Sequence, residues 1–255
     1  MNFVWLDGEF LEEGEARIPA TDPAFLRGRG LFETLRSYGG APFRLGDHLD
    51  RLRASASRFK IPCVLPDLDP VVRELCGRNR RPDARVRITY SAAGHLLVTA
   101  EELRPLPAAW FEKGAEVMIA PWRRDGRAPL LGHKTTGCWE NQLAHDEAAD
   151  RGCADAIFVG LRGEILEGAT TNVFLVVDGT LVTPRSGQGL LPGITRKVVM
   201  ELQKTRERRV LLKELWKADE AFLTNSVAEI LPILKPPGPL TRRVQAAYRA
   251  AALSR

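Results

Sequence analysis

Lys134 lies in the run Gly132-His133-Lys134-Thr135-Thr136-Gly137, just ahead of an amphipathic segment. Alone, a loop lysine is a surface charge. Thirty-three residues later comes Glu167-Gly168-Ala169-Thr170-Thr171-Asn172-Val173-Phe174: a carboxylate at a strand end, a tight turn, two hydroxyls and an apolar strand. Further on, Leu191-Pro192-Gly193-Ile194-Thr195-Arg196 opens a helix. The free N–H groups and the hydroxyl of such a helix start form a site for a phosphate. An amine for a Schiff base, a carboxylate for a ring N–H and a phosphate cradle are together what pyridoxal phosphate requires of a protein.

The elements that must carry these residues can be read from periodicity and turn signals. Residues 1–11 read as a hairpin turning at Asp7-Gly8, and Leu31 to Tyr38 alternates as a strand that returns through Gly39-Gly40 to Pro42-Phe43-Arg44. Apolar residues at Leu49, Leu52, Ala56 and Phe59 have helical spacing, and Leu68 to Cys76 reads as a second helix. Val86–Tyr90 and Leu96–Thr99 read as paired strands. Beyond strand Val117–Ala120, Arg, Gly and Pro accumulate up to Gly132 and predict a boundary. Helix Trp139–Asp150 follows, then strands at 156–159, 164–166, 172–177 and 180–183, helix Gly193–Lys204, strand Glu220–Thr224 and a last helix from Leu240. The expectation is an α+β chain in two lobes: a small N-terminal α/β domain over 1–120, an interdomain loop over 121–132 and a larger, strand-rich C-terminal domain over 133–255.

Composition narrows the function classes. The 255 residues are 44% hydrophobic and 27% charged, an ordinary globular mix, with no run near the roughly 20 apolar residues that cross a bilayer. Met1 to Phe10 carries Asp7 and no long apolar stretch, so neither a signal peptide nor a membrane partner is expected, and a cytoplasmic location is. The four cysteines form no C-x-x-C pair and the four histidines no H-E-x-x-H cluster, so no metal site is expected. A net charge of +5 suits an anionic small molecule better than a nucleic acid, because acids are interleaved among the arginines. The two clusters, Arg78 to Arg81 and Arg206 to Arg209, read as solvated faces or turns.

Five segments together resemble the class IV aminotransferases, the pyridoxal-phosphate family that includes branched-chain aminotransferases, D-amino-acid aminotransferases and 4-amino-4-deoxychorismate lyases. They are Phe43-Arg44-Leu45-Gly46-Asp47-His48-Leu49-Asp50-Arg51-Leu52, the segments at Lys134 and Glu167, Gly193–Arg196, and Ala218–Pro232, in family order along nearly the whole chain. The resemblance implies fold type IV, a homodimer and a cofactor bound through Lys134. It further implies that Glu167 holds the pyridine nitrogen protonated, that Arg51, Ile194, Thr195 and Ser226 hold the phosphate, and that Thr171 and Asn172 belong to the cofactor site. Arg27, Phe32 and Arg87 are the candidate substrate-binding residues, with the two arginines suited to a substrate carboxylate. Two departures stand out. Cys138 occupies the place of a tyrosine found four residues after the lysine in many relatives, and Arg27-Gly28-Arg29-Gly30 replaces their Tyr-Gly-Asp-Gly.

The arginines favour amino-group transfer between an amino acid, D-amino acids included, and a 2-keto acid. The alternative is a lyase releasing pyruvate and 4-aminobenzoate from aminodeoxychorismate. A branched-chain assignment ranks lower, because typical branched-chain enzymes carry one more residue between Lys134 and Glu147-Ala148. A non-catalytic binder ranks lower still, because it would need neither Lys134 nor Glu167.

Overall fold

The computed structural model describes residues 2–254, which divide into two compact units. The first holds the chain up to Arg104 and also Lys134–Cys138; the second holds Pro105–His133 and Trp139–Ser254.

In the first unit, β1 (Phe3–Leu6) and β2 (Glu9–Glu12) form the expected hairpin. A short helix α1 (Pro23–Arg27) leads to β3 (Gly30–Tyr38) and β4 (Ala41–Pro42). Helices α2 (Leu45–Arg58) and α3 (Asp69–Arg78) precede β5 (Ala84–Ser91) and β6 (Leu96–Glu102). The strands make one antiparallel sheet in the order β2-β1-β6-β5-β3-β4. Strict alternation along β5 buries Ala84, Val86, Ile88 and Tyr90, while Arg85, Arg87 and Thr89 take the opposite face. Leu49, Leu52 and Ala56 of α2 and Val72 and Leu75 of α3 close over Leu31, Leu35, Val86 and Ile88. Each such leucine contributes roughly 1.5–3 kcal/mol on burial.

The segment around Lys134 is tied to β3 as a short added strand. Phe32 N–H donates to Lys134 O at 2.9 Å, Thr136 N–H donates to Gly30 O at 2.9 Å, and Thr135 lies antiparallel to Leu31. That contact explains the glycines of Arg27-Gly28-Arg29-Gly30. A Cβ on Gly30 would come within 2.9 Å of Thr136 Oγ1, and Gly28 closes α1 at φ +62° against the Gly137 backbone.

The second unit begins with α4 (Ala108–Lys113), β7 (Val117–Arg124), α5 (Trp139–Asp150), β8 (Asp155–Gly160) and β9 (Ile165–Gly168). It continues through β10 (Asn172–Val177), β11 (Thr180–Pro184), α6 (Ile194–Leu202), β12 (Thr205–Arg208) and α7 (Leu212–Leu215). It ends with β13 (Glu220–Asn225), β14 (Glu229–Pro232) and α8 (Pro239–Leu253). A three-stranded sheet β7-β8-β9 and a five-stranded sheet β12-β11-β10-β13-β14 share a core of Val117, Ile157, Ile165, Val173, Leu175 and Leu223. Helix α5 packs Ala144 and Ala148 on Ala156 and Phe158 of the three-stranded sheet, and Gly152 turns the chain out of it at φ +73°.

Residues 121–132, expected as an interdomain loop, lie within the second unit, and the division falls at Arg104–Pro105. The strand does not stop at Ala120: it runs to Arg124 beside β8 through an irregularity between Ile119 and Arg123. Pro121 sits in that irregularity, where its missing N–H costs no ladder bond, and there it mimics a strand end. The cluster Arg206 to Arg209 is likewise partly strand, with Arg208 paired to Glu214 and Arg209 to Glu164.

Candidate active site

In the first unit two of the anticipated residues converge on the aromatic ring of a third. Lys134 Nζ lies 4.5 Å from the centroid of Phe32, and Arg87 Cζ lies 3.8 Å from it. β3 and β5 create this arrangement: Phe32 is opposite Thr89, and Arg87 stands one pleat along on the same face, its Nε 3.3 Å from Thr89 Oγ1. Arg87 is half-buried and makes no ion pair with a described residue. Burial, helped by the nearby Arg85 charge, pushes its guanidinium below the usual value. A desolvated cation without a carboxylate beside an amine and a flat apolar ring is suited to receive a carboxylate. Arg27 is not part of this group. It is exposed in the last turn of α1 and bonds no described side chain.

Arg51 stands on the helix-covered face of the same sheet. Its Nε donates to Glu33 Oε1 at 2.8 Å and its Nη2 to Glu33 Oε2 at 2.5 Å, while His48 Nδ1 is 2.7 Å from Glu33 Oε2. His48 and Arg51 are three apart on α2 and so share a helix face.

In the second unit Glu167 is buried on β9. Its Oε2 accepts from Leu191 N–H at 2.8 Å, and its Oε1 lies 3.5 Å from Arg124 Nη1. Arg124, passed over in the sequence, is itself buried: it stacks on Phe158 and donates through Nη2 to Asn141 at 2.7 Å. Only the true length of β7 reveals it. Thr171 Oγ1 donates to Asp155 Oδ2 at 2.8 Å, and the same carboxylate oxygen takes the Thr170 N–H at 3.0 Å. Thr171 thus anchors the turn after Glu167. Asn172 Nδ2 donates to Leu191 O at 2.9 Å, so Glu167 and Asn172 both grip the segment that enters α6. Ser226 lies in the turn after β13, where Asn225 Oδ1 accepts from the N–H groups of Val227 and Ala228.

The start of α6 bears on the phosphate expectation directly. Gly193 is its N-cap and supplies no side-chain cap, leaving the first-turn N–H groups of Ile194 and Thr195 without intrahelical acceptors. A Cβ on Gly193 would collide with Asn172 Oδ1. Thr195 Oγ1 is buried and has no hydrogen-bond partner among the described residues. A buried, unsatisfied hydroxyl costs about 1–3 kcal/mol, and here it sits among N–H donors at the positive end of a helix. These groups fit a phosphate ester.

The model of the family "Amino-transferase class IV" matches residues 30–235, which span Phe32, Arg51, Lys134, Glu167, Thr195 and Ser226. This chain belongs to the class IV aminotransferases. A Thermotoga maritima protein named "Probable branched-chain-amino-acid aminotransferase" is 34% identical, covering 93% of this chain and 92% of its own. The Escherichia coli branched-chain aminotransferase structure superposes with a TM-score of 0.88 at 28% identity, covering 98% and 94% of the two chains. A T.th. branched-chain aminotransferase complexed with N-(5'-phosphopyridoxyl)-L-glutamate superposes at 0.86, with 26% identity and 100% and 95% coverage. The α+β, fold type IV expectation is therefore met, and pyridoxal phosphate is the cofactor of this class IV aminotransferase. Its substrates are amino acids and keto acids.

Proposed function

We propose that this class IV aminotransferase transfers the amino group of an aliphatic, branched-chain-like α-amino acid to a 2-keto acid. The Phe32 ring carrying both Lys134 and Arg87 is the observation on which the reading stands. Arg87 would pair with the substrate carboxylate, and the Phe32 face would receive an apolar side chain better than a polar one. The relatives reported above are named branched-chain aminotransferases, the assignment that residue spacing ranks below D-amino-acid transfer and the lyase. That ranking is reversed in this reading, because one residue of loop length is weaker support than similarity over nearly the whole chain.

Pyridoxal phosphate, when bound, supplies the electron sink for removal of the Cα proton. In our reading Lys134 carries the reactive amine and afterwards moves that proton as a general base. Glu167, oriented by Leu191 N–H and Arg124, holds the proton of the pyridine nitrogen. Ile194, Thr195 and Ser226, together with Arg51, hold the phosphate, while Asn172 and Thr171 fix the backbone around them.

The deciding assay offers L-leucine, D-alanine and aminodeoxychorismate separately, with 2-oxoglutarate as acceptor. Fastest glutamate formation from L-leucine is the expected result. Faster transfer from D-alanine, or pyruvate release from aminodeoxychorismate without an acceptor, would overturn it.

A further inference from the structure

We propose that Glu33 and His48 are positioning residues that hold Arg51 in a single orientation for the phosphate of the cofactor. The inference rests on the assignment of Arg51 as a phosphate ligand made above and extends it to two residues that need not touch the ligand.

Glu33 is out of place by pattern. It follows Leu31 and precedes Leu35 on the face of β3 that α2 and α3 cover, and both leucines are in the core. An apolar residue there would pack at no electrostatic cost, yet the position holds a carboxylate that is only 1% exposed. A buried ion pair seldom beats apolar packing for stability, so stability alone is a poor reason for one here.

The geometry points to orientation instead. Glu33 meets Arg51 fork to fork, with Nε on Oε1 at 2.8 Å and Nη2 on Oε2 at 2.5 Å, which fixes the plane of the guanidinium as a single hydrogen bond cannot. His48 Nδ1 braces Oε2 from the same helix at 2.7 Å. Burial tends to raise the Glu33 carboxyl, but the Arg51 charge and hydrogen bonds, with His48, hold it down at about 2. Burial pushes His48 below its ordinary value, so near neutral pH it is an uncharged donor through Nδ1–H. The trio then has one negative and one positive charge, and Arg51 is oriented without extra charge near the phosphate.

The test compares binding of pyridoxal phosphate and of pyridoxal, which lacks the phosphate, to the cofactor-stripped full chain, read by absorbance titration. Arg51→Ala should lower affinity for pyridoxal phosphate about 10-fold or more and leave pyridoxal within about 2-fold. Glu33→Gln should do the same, because an amide presents one acceptor and one clashing N–H₂ to the Arg51 fork. If Arg51→Ala shows the selective loss and Glu33→Gln does not, or if Glu33→Gln weakens both ligands equally, the positioning role is wrong and the Arg51 assignment stands. If Arg51→Ala leaves both affinities unchanged, the Arg51 assignment falls and the inference with it. Should Glu33→Gln not yield folded protein, Glu33→Asp and His48→Gln are titrated identically. Both retaining native selectivity would overturn the proposal.

Discussion

Arg87 and Arg27 look alike in the sequence, as two guanidiniums near strands of the first unit, but they meet different surroundings. Arg87 is half-buried against Phe32 without an acidic partner among the described residues, whereas Arg27 is exposed in the last turn of α1. Losing a charge-assisted contact in a partly dehydrated site costs about 1.5–3 kcal/mol, or roughly 10- to 150-fold in kcat/KM. Arg87→Ala should therefore reduce kcat/KM for amino acids by that factor and spare amines that lack a carboxylate, while Arg27→Ala should change either by less than about 3-fold. Parallel steady-state assays with L-leucine and an uncharged aliphatic amine read the difference. At Glu167, where Leu191 N–H and Arg124 orient the carboxylate, Glu167→Gln should retain cofactor through gel filtration but slow single-turnover amino transfer by about 3 kcal/mol, roughly 150-fold.

Among the elements, α6 and the turn before β10 carry the most specific consequences. Thr195 Oγ1 is buried without a partner among the described residues, so Thr195→Val, nearly equal in volume, should stabilise the cofactor-free protein by about 1 kcal/mol and weaken its hold on the cofactor. Urea unfolding without cofactor and cofactor titration should move in opposite directions. Below that turn, Asp155 is buried and accepts from Thr170, Thr171 and His145, the last at 3.1 Å. The hydrogen bond to Asp155 raises the His145 pKa above 6.5, against the effect of burial. A raised folded-state value means that His145 adds stability below pH 6.5 and loses it as pH climbs through the folded value. His145→Gln should therefore narrow the stability gap between pH 6 and about 8.5 in urea titrations, with the loss concentrated at the lower pH.

At the scale of the molecule, we propose a homodimer, an expectation that comes from the family resemblance. Sedimentation equilibrium at micromolar concentration should give twice 28.3 kDa, and an active sample that sediments only as the monomer would refute it. No described helix is long and apolar enough to cross a membrane. Neither unit is a single run of sequence, since 134–138 belongs to the first unit, where it pairs with β3. The chain segments on either side of Lys134 are thereby anchored in different units, an arrangement that no linear boundary between 1–120 and 133–255 can express.

The family, the α+β class, the cofactor and the elements with strong periodicity are all legible in the amino-acid chain alone. Alternation in β5 and the helical spacing of Leu49, Leu52 and Ala56 in α2 are properties of one segment, and residues such as Lys134, Glu167 and Thr195 lie in motifs a few residues long. Short elements such as α1, α7, β12 and β14 escaped because four or five residues cannot establish a period without a turn signal such as the Asp7-Gly8 that marks the equally short β1 and β2. Which charges find partners is settled by folding. Glu33 with Arg51, Glu167 with Arg124 and Asp155 with Thr171 are 18, 43 and 16 residues apart, pairings created by sheet register and helix packing. Likewise Arg87 and Arg27 could not be ranked before folding, because burial is a property of everything that surrounds a side chain and its own segment supplies little of that.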